Sequence, residues 1–286
     1  MLLNRQNQKQ HHVLVVNHKS LNEGGHMLLE NRVAIVTGGA RGIGRGIALK
    51  FAEEGCSVAI ADINMKEAND TVSEIAKRGR EGIAIQCNAT NSKQVSDLVN
   101  KIIGKFGKVD ILVNNAGGLP STAPVEDMSE EEWDSVIALN LKSSFLGCKY
   151  VVPHMKAKKY GKIINISSLG ATAPPSSNVH YHSGKAGVLG MTVDLAVGLA
   201  PYHICVNAII PGPIRTAFFG PLLNDDAFFI ELGKTVPLGR VGTPEDIAGA
   251  ALFLASELSS FITGEFIKVT GGLPLAPPRT RPPKGD

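Results

Sequence analysis

Tyr181 and Lys185 stand four residues apart in the stretch Asn-Val-His-Tyr-His-Ser-Gly-Lys that runs from 178 to 185. On a helix this spacing puts both side chains on one face. A free phenol has a pKa of ~10 and is a poor base at neutral pH. An ammonium beside it stabilises the phenolate, so the pair predicts a tyrosine lowered toward neutrality that can take or give a proton. His180 and His182 flank the tyrosine on the same predicted helix. Their directions differ from that of Tyr181, which predicts surface- or loop-facing rings, near the substrate at most, with no catalytic role.

A second group of residues suits an anion. Thr37-Gly38-Gly39-Ala40-Arg41-Gly42-Ile43-Gly44 follows a short apolar run and opens a helical pattern. Glycines let the backbone approach a pyrophosphate, and the N-terminus of the next helix favours negative charge. A glycine-rich turn alone is weak evidence; its place between a first strand and a first helix strengthens it. Asp62 lies 18 residues past Gly44, at the end of the next strand-like run. A carboxylate there accepts hydrogen bonds from adenosine ribose hydroxyls and repels a 2′-phosphate. Arg41 points the other way, since a guanidinium in the turn can pair with that phosphate. The acid favours NAD, with NADP left open.

These groups need a scaffold, and the rest of the chain supplies one. Short runs, apolar at nearly every position, recur at 33–37, 58–61, 83–86, 111–113, 163–166, 206–210 and 266–269. Helical periodicity lies between them, from 42 to 54, on to about 78, and around 92–106, 129–151, 180–200 and 244–256. Strands buried on both faces and separated by helices predict an α/β fold. About seven parallel strands would form a single doubly wound domain of the Rossmann type, with helices on both faces. The domain is expected at 27–272. Residues 211–243, rich in Pro, Gly and Phe, form a connection long enough to be a substrate lid. The polar segment 1–26 is expected to be a disordered extension, with Met27 an alternative start, and the Pro-rich segment 273–286 an unfolded tail.

The net charge of the 286-residue chain is +3. Segments 1–26 and 273–286 carry +2 each, so the body is about −1, and nothing argues for nucleic acid. No apolar run approaches the ~20 residues of a membrane span. The four cysteines, Cys56, Cys87, Cys148 and Cys205, lie far apart without a C-x-x-C, which fits buried thiols in a reducing cytoplasm. No His/Cys/Asp cluster suggests a metal.

Taken together, the motifs resemble the short-chain dehydrogenase/reductase family from about Leu29 to Gly272. Thr37-Gly38-x-x-x-Gly42-x-Gly44 is followed by Asn114-Asn115-Ala116-Gly117, Asn140 in Ala138-Leu139-Asn140, Ser168, Tyr181-x-x-x-Lys185 and Pro211-Gly212-Pro213. Ser168 precedes Tyr181 by 13 residues, as in that family. The resemblance implies strand order 3-2-1-4-5-6-7 and a homotetramer or homodimer packed through the helices that carry Asn140 and Tyr181. It implies an NAD(P)-dependent oxidoreductase interconverting a secondary alcohol and a ketone. By it, Tyr181 is the acid/base and Ser168 donates to the substrate oxygen. Lys185 also holds the nicotinamide ribose, and Asn140 supports a water that links Lys185 to solvent. The implied cofactor contacts are Gly38, Arg41, Gly42, Ile43, Gly44 and Asp62, then Asn88, Asn114, Ala116 and Gly117. Tyr181, Lys185, Pro211, Gly212, Ile214 and Thr216 complete them. Asn88, Gly198, Cys205 and Thr270 depart from the family's usual residues without touching the chemistry.

Phe218, Phe219, Leu222, Leu223, Phe228, Phe229 and Ile230 in the expected lid favour a hydrophobic or cyclic substrate. The C-terminal half resembles reductases of 3-oxoacyl thioesters and dehydrogenases of hydroxyacyl thioesters and cyclic alcohols. Arg215 and Lys234 are candidates for the phosphates of an acyl carrier. The alternative is a non-catalytic nucleotide sensor or scaffold on the same fold; such a chain would be expected to lose Tyr181 or Lys185, and both are present.

Overall fold

A computed structural model describes residues 27–174 and 178–274. The expectations for 1–26 and for the tail beyond 274 fall outside the described residues. Seven strands form one sheet: β1 (Val33–Thr37), β2 (Ser57–Asp62), β3 (Gly82–Gln86), β4 (Ile111–Asn114), β5 (Gly161–Ile166), β6 (Ile204–Pro211) and β7 (Phe266–Val269). All neighbours pair in parallel, in the order β3-β2-β1-β4-β5-β6-β7. Every residue of β1, β4 and β5 is buried, as continuous apolar runs require.

Eight α-helices cover the sheet: α1 (Gly42–Glu53), α2 (Met65–Lys77), α3 (Ser92–Phe106), α4 (Glu130–Ile137), α5 (Ser143–Lys158), α6 (Val179–Leu199), α7 (Asp226–Lys234) and α8 (Pro244–Ala255). The pleat sorts β1 between two cores. Ala34 and Val36 join Ile47 and Phe51 of α1 and Ile247 and Ala251 of α8. Val33 and Ile35 join Leu98 and Ile102 of α3 and Val151 and Met155 of α5. Helix starts follow side-chain chemistry: Asn64, Asn91, Ser129 and Asp225 each accept the N–H three residues on, leaving fewer orphan donors.

Two expected segments differ in detail. The helical stretch at 129–151 is two α-helices joined by a π-helical turn at Ala138–Lys142. The buried side chain of Asn140 donates to Val136 O within that turn (3.0 Å). The connection at 211–243 is substantially helical, with a 3₁₀ stretch at Ala217–Asn224 followed by α7. No described helix is long and apolar enough to cross a membrane.

Candidate active site

The strand order reverses between β1 and β4, and such a switch point leaves a crevice at the C-terminal strand ends. The glycine turn after β1 and the Asn114–Gly118 loop after β4 form its walls. Thr37 Oγ1 donates to Val113 O (3.3 Å) and accepts from the N–H groups of Asn115 and Ala116 (3.0 and 3.1 Å). Asn115 Nδ2 returns bonds to the carbonyls of Thr37 and Gly38 (3.0 and 2.9 Å). The turn is thereby clamped to the neighbouring loop. A Cβ at Gly44 would lie 2.2 Å from Gly38 O and 2.5 Å from Asn115 Nδ2, so no other residue fits there unchanged. Unlike α2 and α3, α1 has no side-chain cap at its first turn. Its N–H groups stay available to an anion, as a pyrophosphate site requires.

Asp62 ends β2 beside this turn. Its Oδ2 accepts from Ala40 N and its Oδ1 from Asn64 N, each at 3.0 Å. Arg41 is mostly exposed, with its Nε 3.9 Å from Glu67 Oε2. The base in the turn thus faces an acid of its own, while Asp62 is fixed beside the glycine turn by two backbone N–H groups. Ile43 is half-buried on α1, and Thr216 packs against Gly42 from the far side. Gly212 N bonds Val269 O (2.9 Å) at the end of β6 and Pro211. Ile214 is buried and bridges to Gly242. These contacts place the Pro211–Thr216 segment over the crevice.

Two assigned cofactor residues spend their side chains elsewhere. Asn114 Nδ2 donates to Asn165 Oδ1 (2.8 Å), whose amide donates to Thr192 Oγ1 (2.9 Å). Its side chain ties β4, β5 and α6 together. Asn88 Oδ1 accepts from Thr90 N and Oγ1 (3.0 and 2.8 Å), which leaves its amide nitrogen as the group for an adenine.

The chemical groups meet opposite the glycine turn. Lys185 is buried on α6 and donates to Ile166 O at the end of β5 (2.9 Å). Asn140 is wholly buried; it donates to Gly118 O (2.8 Å) and accepts from Gly118 N (3.1 Å). A Cβ on Gly117 would stand 2.9 Å from both Asn140 Oδ1 and Lys185 Nζ, which shows how closely the two approach that backbone. Lys185 Nζ lies 6.0 Å from the Tyr181 ring centre. Ser168 Oγ accepts from Gly170 N (3.2 Å) and lies beside the Tyr181 phenol. Asn140, Ser168, Tyr181 and Lys185 are therefore gathered in one place.

The electrostatics differ from the expectation. Burial pushes the Tyr181 pKa up, and Ser168 only partly offsets this. Burial also lowers Lys185 to about 8. Desolvation of the phenol outweighs its bond with Ser168, so Tyr181 is a protonated phenol at neutral pH.

The reading of His180 is corrected, whereas His182 faces the loop after β5 as expected. His180 is fully buried, with Nδ1 accepting Tyr181 N–H (2.9 Å) and Nε2 3.4 Å from Glu132 Oε1 on α4. His182 lies edge-on to Tyr181, with ring centres 5.6 Å apart. Helix direction alone missed the burial of His180 because α4, distant in sequence, packs on the first turns of α6. Arg215 is also corrected as a carrier-phosphate contact: it bonds Asp226 (2.6 Å) and Leu223 O (3.0 Å) and stacks on Phe229 (4.5 Å). Lys234 pairs with Glu231 one turn away on α7. The aromatic residues form a chain in which Phe218 is 5.9 Å from Tyr181 and 6.1 Å from Phe219. Phe219 in turn meets Phe228 and Phe229. Asn115 and Thr37 were not singled out as site residues; their signal was the polar pair bracketing two apolar strands.

Comparison with known proteins agrees with this geometry. The family described as enoyl-(acyl carrier protein) reductase matches residues 38–274. The chain is 41% identical to the (2S)-[(R)-hydroxy(phenyl)methyl]succinyl-CoA dehydrogenase subunit BbsD of Thauera aromatica, covering 87% of this chain and 99% of that protein. It is 40% identical to the 3-oxoacyl-[acyl-carrier-protein] reductase FabG of Thermotoga maritima, over 86% and 99%. Among solved structures, levodione reductase superposes with a TM-score of 0.80 at 28% identity, over 85% of this chain and 98% of that one. A short-chain type dehydrogenase/reductase from Mycobacterium marinum gives 0.81 at 34% identity, over 88% and 98%. The chain belongs to the short-chain dehydrogenase/reductase family. It is an oxidoreductase that uses a nicotinamide cofactor to interconvert an alcohol and the matching carbonyl.

Proposed function

We propose that the protein is an NAD(H)-dependent reductase of a 3-oxoacyl thioester, or the dehydrogenase of the matching hydroxyacyl thioester. The observation that carries this reading is the convergence of Tyr181, Ser168, Lys185 and Asn140 opposite an uncapped, glycine-lined helix start. The names of two relatives, one acting on an acyl-carrier-protein thioester and one on a CoA thioester, supply the substrate class.

The residues present fit a dinucleotide. The first turn of α1 would hold the pyrophosphate, Asp62 the ribose hydroxyls and Lys185 the nicotinamide ribose. Bound there, the nicotinamide supplies or accepts a hydride. The chain's own groups do the rest. Ser168 donates to the substrate oxygen, where negative charge grows during reduction. Tyr181 delivers the proton to that oxygen, a task its raised pKa suits. Lys185, sensitive to pH near 8, and Asn140 lead the replacement proton from solvent toward the phenol. The carboxylate of Asp62, fixed by two backbone N–H groups, disfavours a 2′-phosphate and underlies the choice of NAD.

Residues 211–243 act as a lid whose phenylalanines close an apolar wall against the acyl chain. Phe145 of α5 and Val193 and Val197 of α6 are exposed, which supports subunit pairing through those two helices. Four free cysteines fit a cytoplasmic enzyme.

The test is absorbance of NADH and of NADPH with a panel of 3-oxoacyl thioesters, cyclic ketones and enoyl thioesters. Turnover of 3-oxoacyl thioesters with NADH is expected to exceed the rest. Faster turnover with enoyl thioesters, or binding of NADH with no turnover of any carbonyl compound, contradicts the reading. Light scattering that finds a monomer contradicts the pairing.

A further inference from the structure

His182 is the one polar side chain beside the reacting groups that the chemistry above leaves unused. Its ring stands edge-on to Tyr181 at 5.6 Å. It also lies directly over Gly170: a Cβ there would be 2.3 Å from His182 Cδ2 and 2.6 Å from Nε2. Gly170 is two residues past Ser168 and bonds the Ser168 hydroxyl through its N–H (3.2 Å). The imidazole therefore borders both groups that meet the substrate oxygen. Among the described residues neither of its ring nitrogens has a hydrogen-bond partner, and the ring is partly exposed. His180, by contrast, is fully buried, with Nδ1 accepting Tyr181 N–H and Nε2 turned away from the crevice toward Glu132, 3.4 Å off. A half-buried ring nitrogen that lacks a partner is a group waiting for one. Burial and the neighbouring His180 also hold His182 below the usual histidine range, so at neutral pH it offers one N–H donor without a charge.

We propose that His182 is a specificity-determining residue whose ring N–H binds a second carbonyl of the substrate, close to the one that is reduced. This rests on the reductase reading above and narrows it to 1,3-dicarbonyl compounds. In a 3-oxoacyl thioester the thioester oxygen is separated from the keto oxygen by three carbons. When the keto oxygen sits between Ser168 and Tyr181, the second oxygen falls within one side chain's reach, and His182 occupies that flank. An isolated ketone leaves the N–H unpaired. A buried donor without its partner is how a site rejects an analogue that lacks a polar group. Gly170 makes the arrangement possible, because any side chain at 170 displaces the ring.

The experiment compares acetoacetyl-CoA, a 1,3-dicarbonyl thioester, with cyclohexanone, an isolated ketone. kcat and KM are measured for the parent, His182→Ala, His182→Gln and Gly170→Ala, and NADH affinity by fluorescence confirms that each variant is folded. Loss of one neutral hydrogen bond predicts that the ratio of kcat/KM for acetoacetyl-CoA over cyclohexanone falls roughly five- to tenfold in His182→Ala. The fall appears mainly in the KM for acetoacetyl-CoA. Gly170→Ala is expected to reproduce it without removing the imidazole, and His182→Gln, which keeps an N–H donor, to recover at least half on a logarithmic scale. A ratio within twofold of the parent in His182→Ala overturns the proposal, even where both rates drop together. So does a Gln variant no better than Ala. A parent that reduces only cyclohexanone overturns both the proposal and the 3-oxoacyl substrate class, whereas a parent that prefers acetoacetyl-CoA with an unchanged ratio in His182→Ala overturns the proposal alone. One that reduces neither overturns both. Should the parent reduce only acetoacetyl-CoA, an unchanged KM in His182→Ala overturns it and a raised KM supports it.

Discussion

The glycine turn and the phenylalanine lid border one crevice and are built in opposite ways. The turn is held by backbone: Thr37 and Asn115 bond main-chain groups on both sides, and there is no space at Gly44 for a methyl group. The lid is held by side chains, with Phe219 edge-on to three other rings and Arg215 stacked on Phe229. Phe218 and Ile230 remain exposed, at 53% and 62%. A rigid backbone cradle suits a ligand of constant shape, such as a dinucleotide. A cluster of rings with loose edges suits acyl chains of varying length. Between the two, α6 presents Tyr181 and Lys185 to whatever both regions hold.

The largest expected effect is at that junction. Lys185→Met is expected to lower turnover by roughly 10²-fold or more, through loss of the proton path and the ribose contact. The same change should stabilise the fold at pH 7. The amine titrates at about 8 in the folded chain against ~10.4 when unfolded. Charging it therefore costs the native state fully below pH 8, and that cost fades as pH rises toward ~10.4. After the lost bond to Ile166 O, a net gain on the order of 2 kcal/mol at pH 7 is expected. Thermal melts from pH 7 to 10.5 should show the gain shrinking; a constant gain would mean that packing, not charge, sets it.

Gly44→Ala tests the rigid side. The added methyl should cost roughly 1–3 kcal/mol of stability and weaken NADH at least tenfold by fluorescence titration, with no effect specific to the acyl substrate. Asp62→Ala should raise the kcat/KM for NADPH relative to NADH by roughly tenfold, through removal of one repulsive charge. An unchanged ratio would hand cofactor choice to Arg41. Phe219→Ala on the soft side should raise the KM of long-chain substrates about three- to fivefold and leave NADH affinity within twofold. If Phe219→Ala weakened NADH as well, the division between cradle and lid would not hold.

The sequence was most legible where physics is local. Strands buried on both faces read as unbroken apolar runs, and Thr37 to Gly44 had to be a turn against an anion because glycine occurs where backbone must approach. The contacts of Asn114 were less legible, since an amide after a strand faces a ligand or a neighbouring strand with equal ease. Here Asn165 and Thr192 capture it from inside the sheet. His180 was misread because its surroundings come from a distant segment, Glu132 on α4, whereas His182 meets the loop at Gly170 as its direction implied. The Tyr181 pKa followed neither its neighbour nor its spacing, because desolvation depends on the whole enclosure.

The central claim is that the phenol of Tyr181 carries the proton beside a bound nicotinamide. Single-turnover oxidation of NADH by Tyr181→Phe, at saturating cofactor and 3-oxoacyl substrate, tests it most directly. The predicted result is a rate roughly 10²- to 10⁴-fold below the parent with NADH affinity unchanged; a rate equal to the parent's would contradict it.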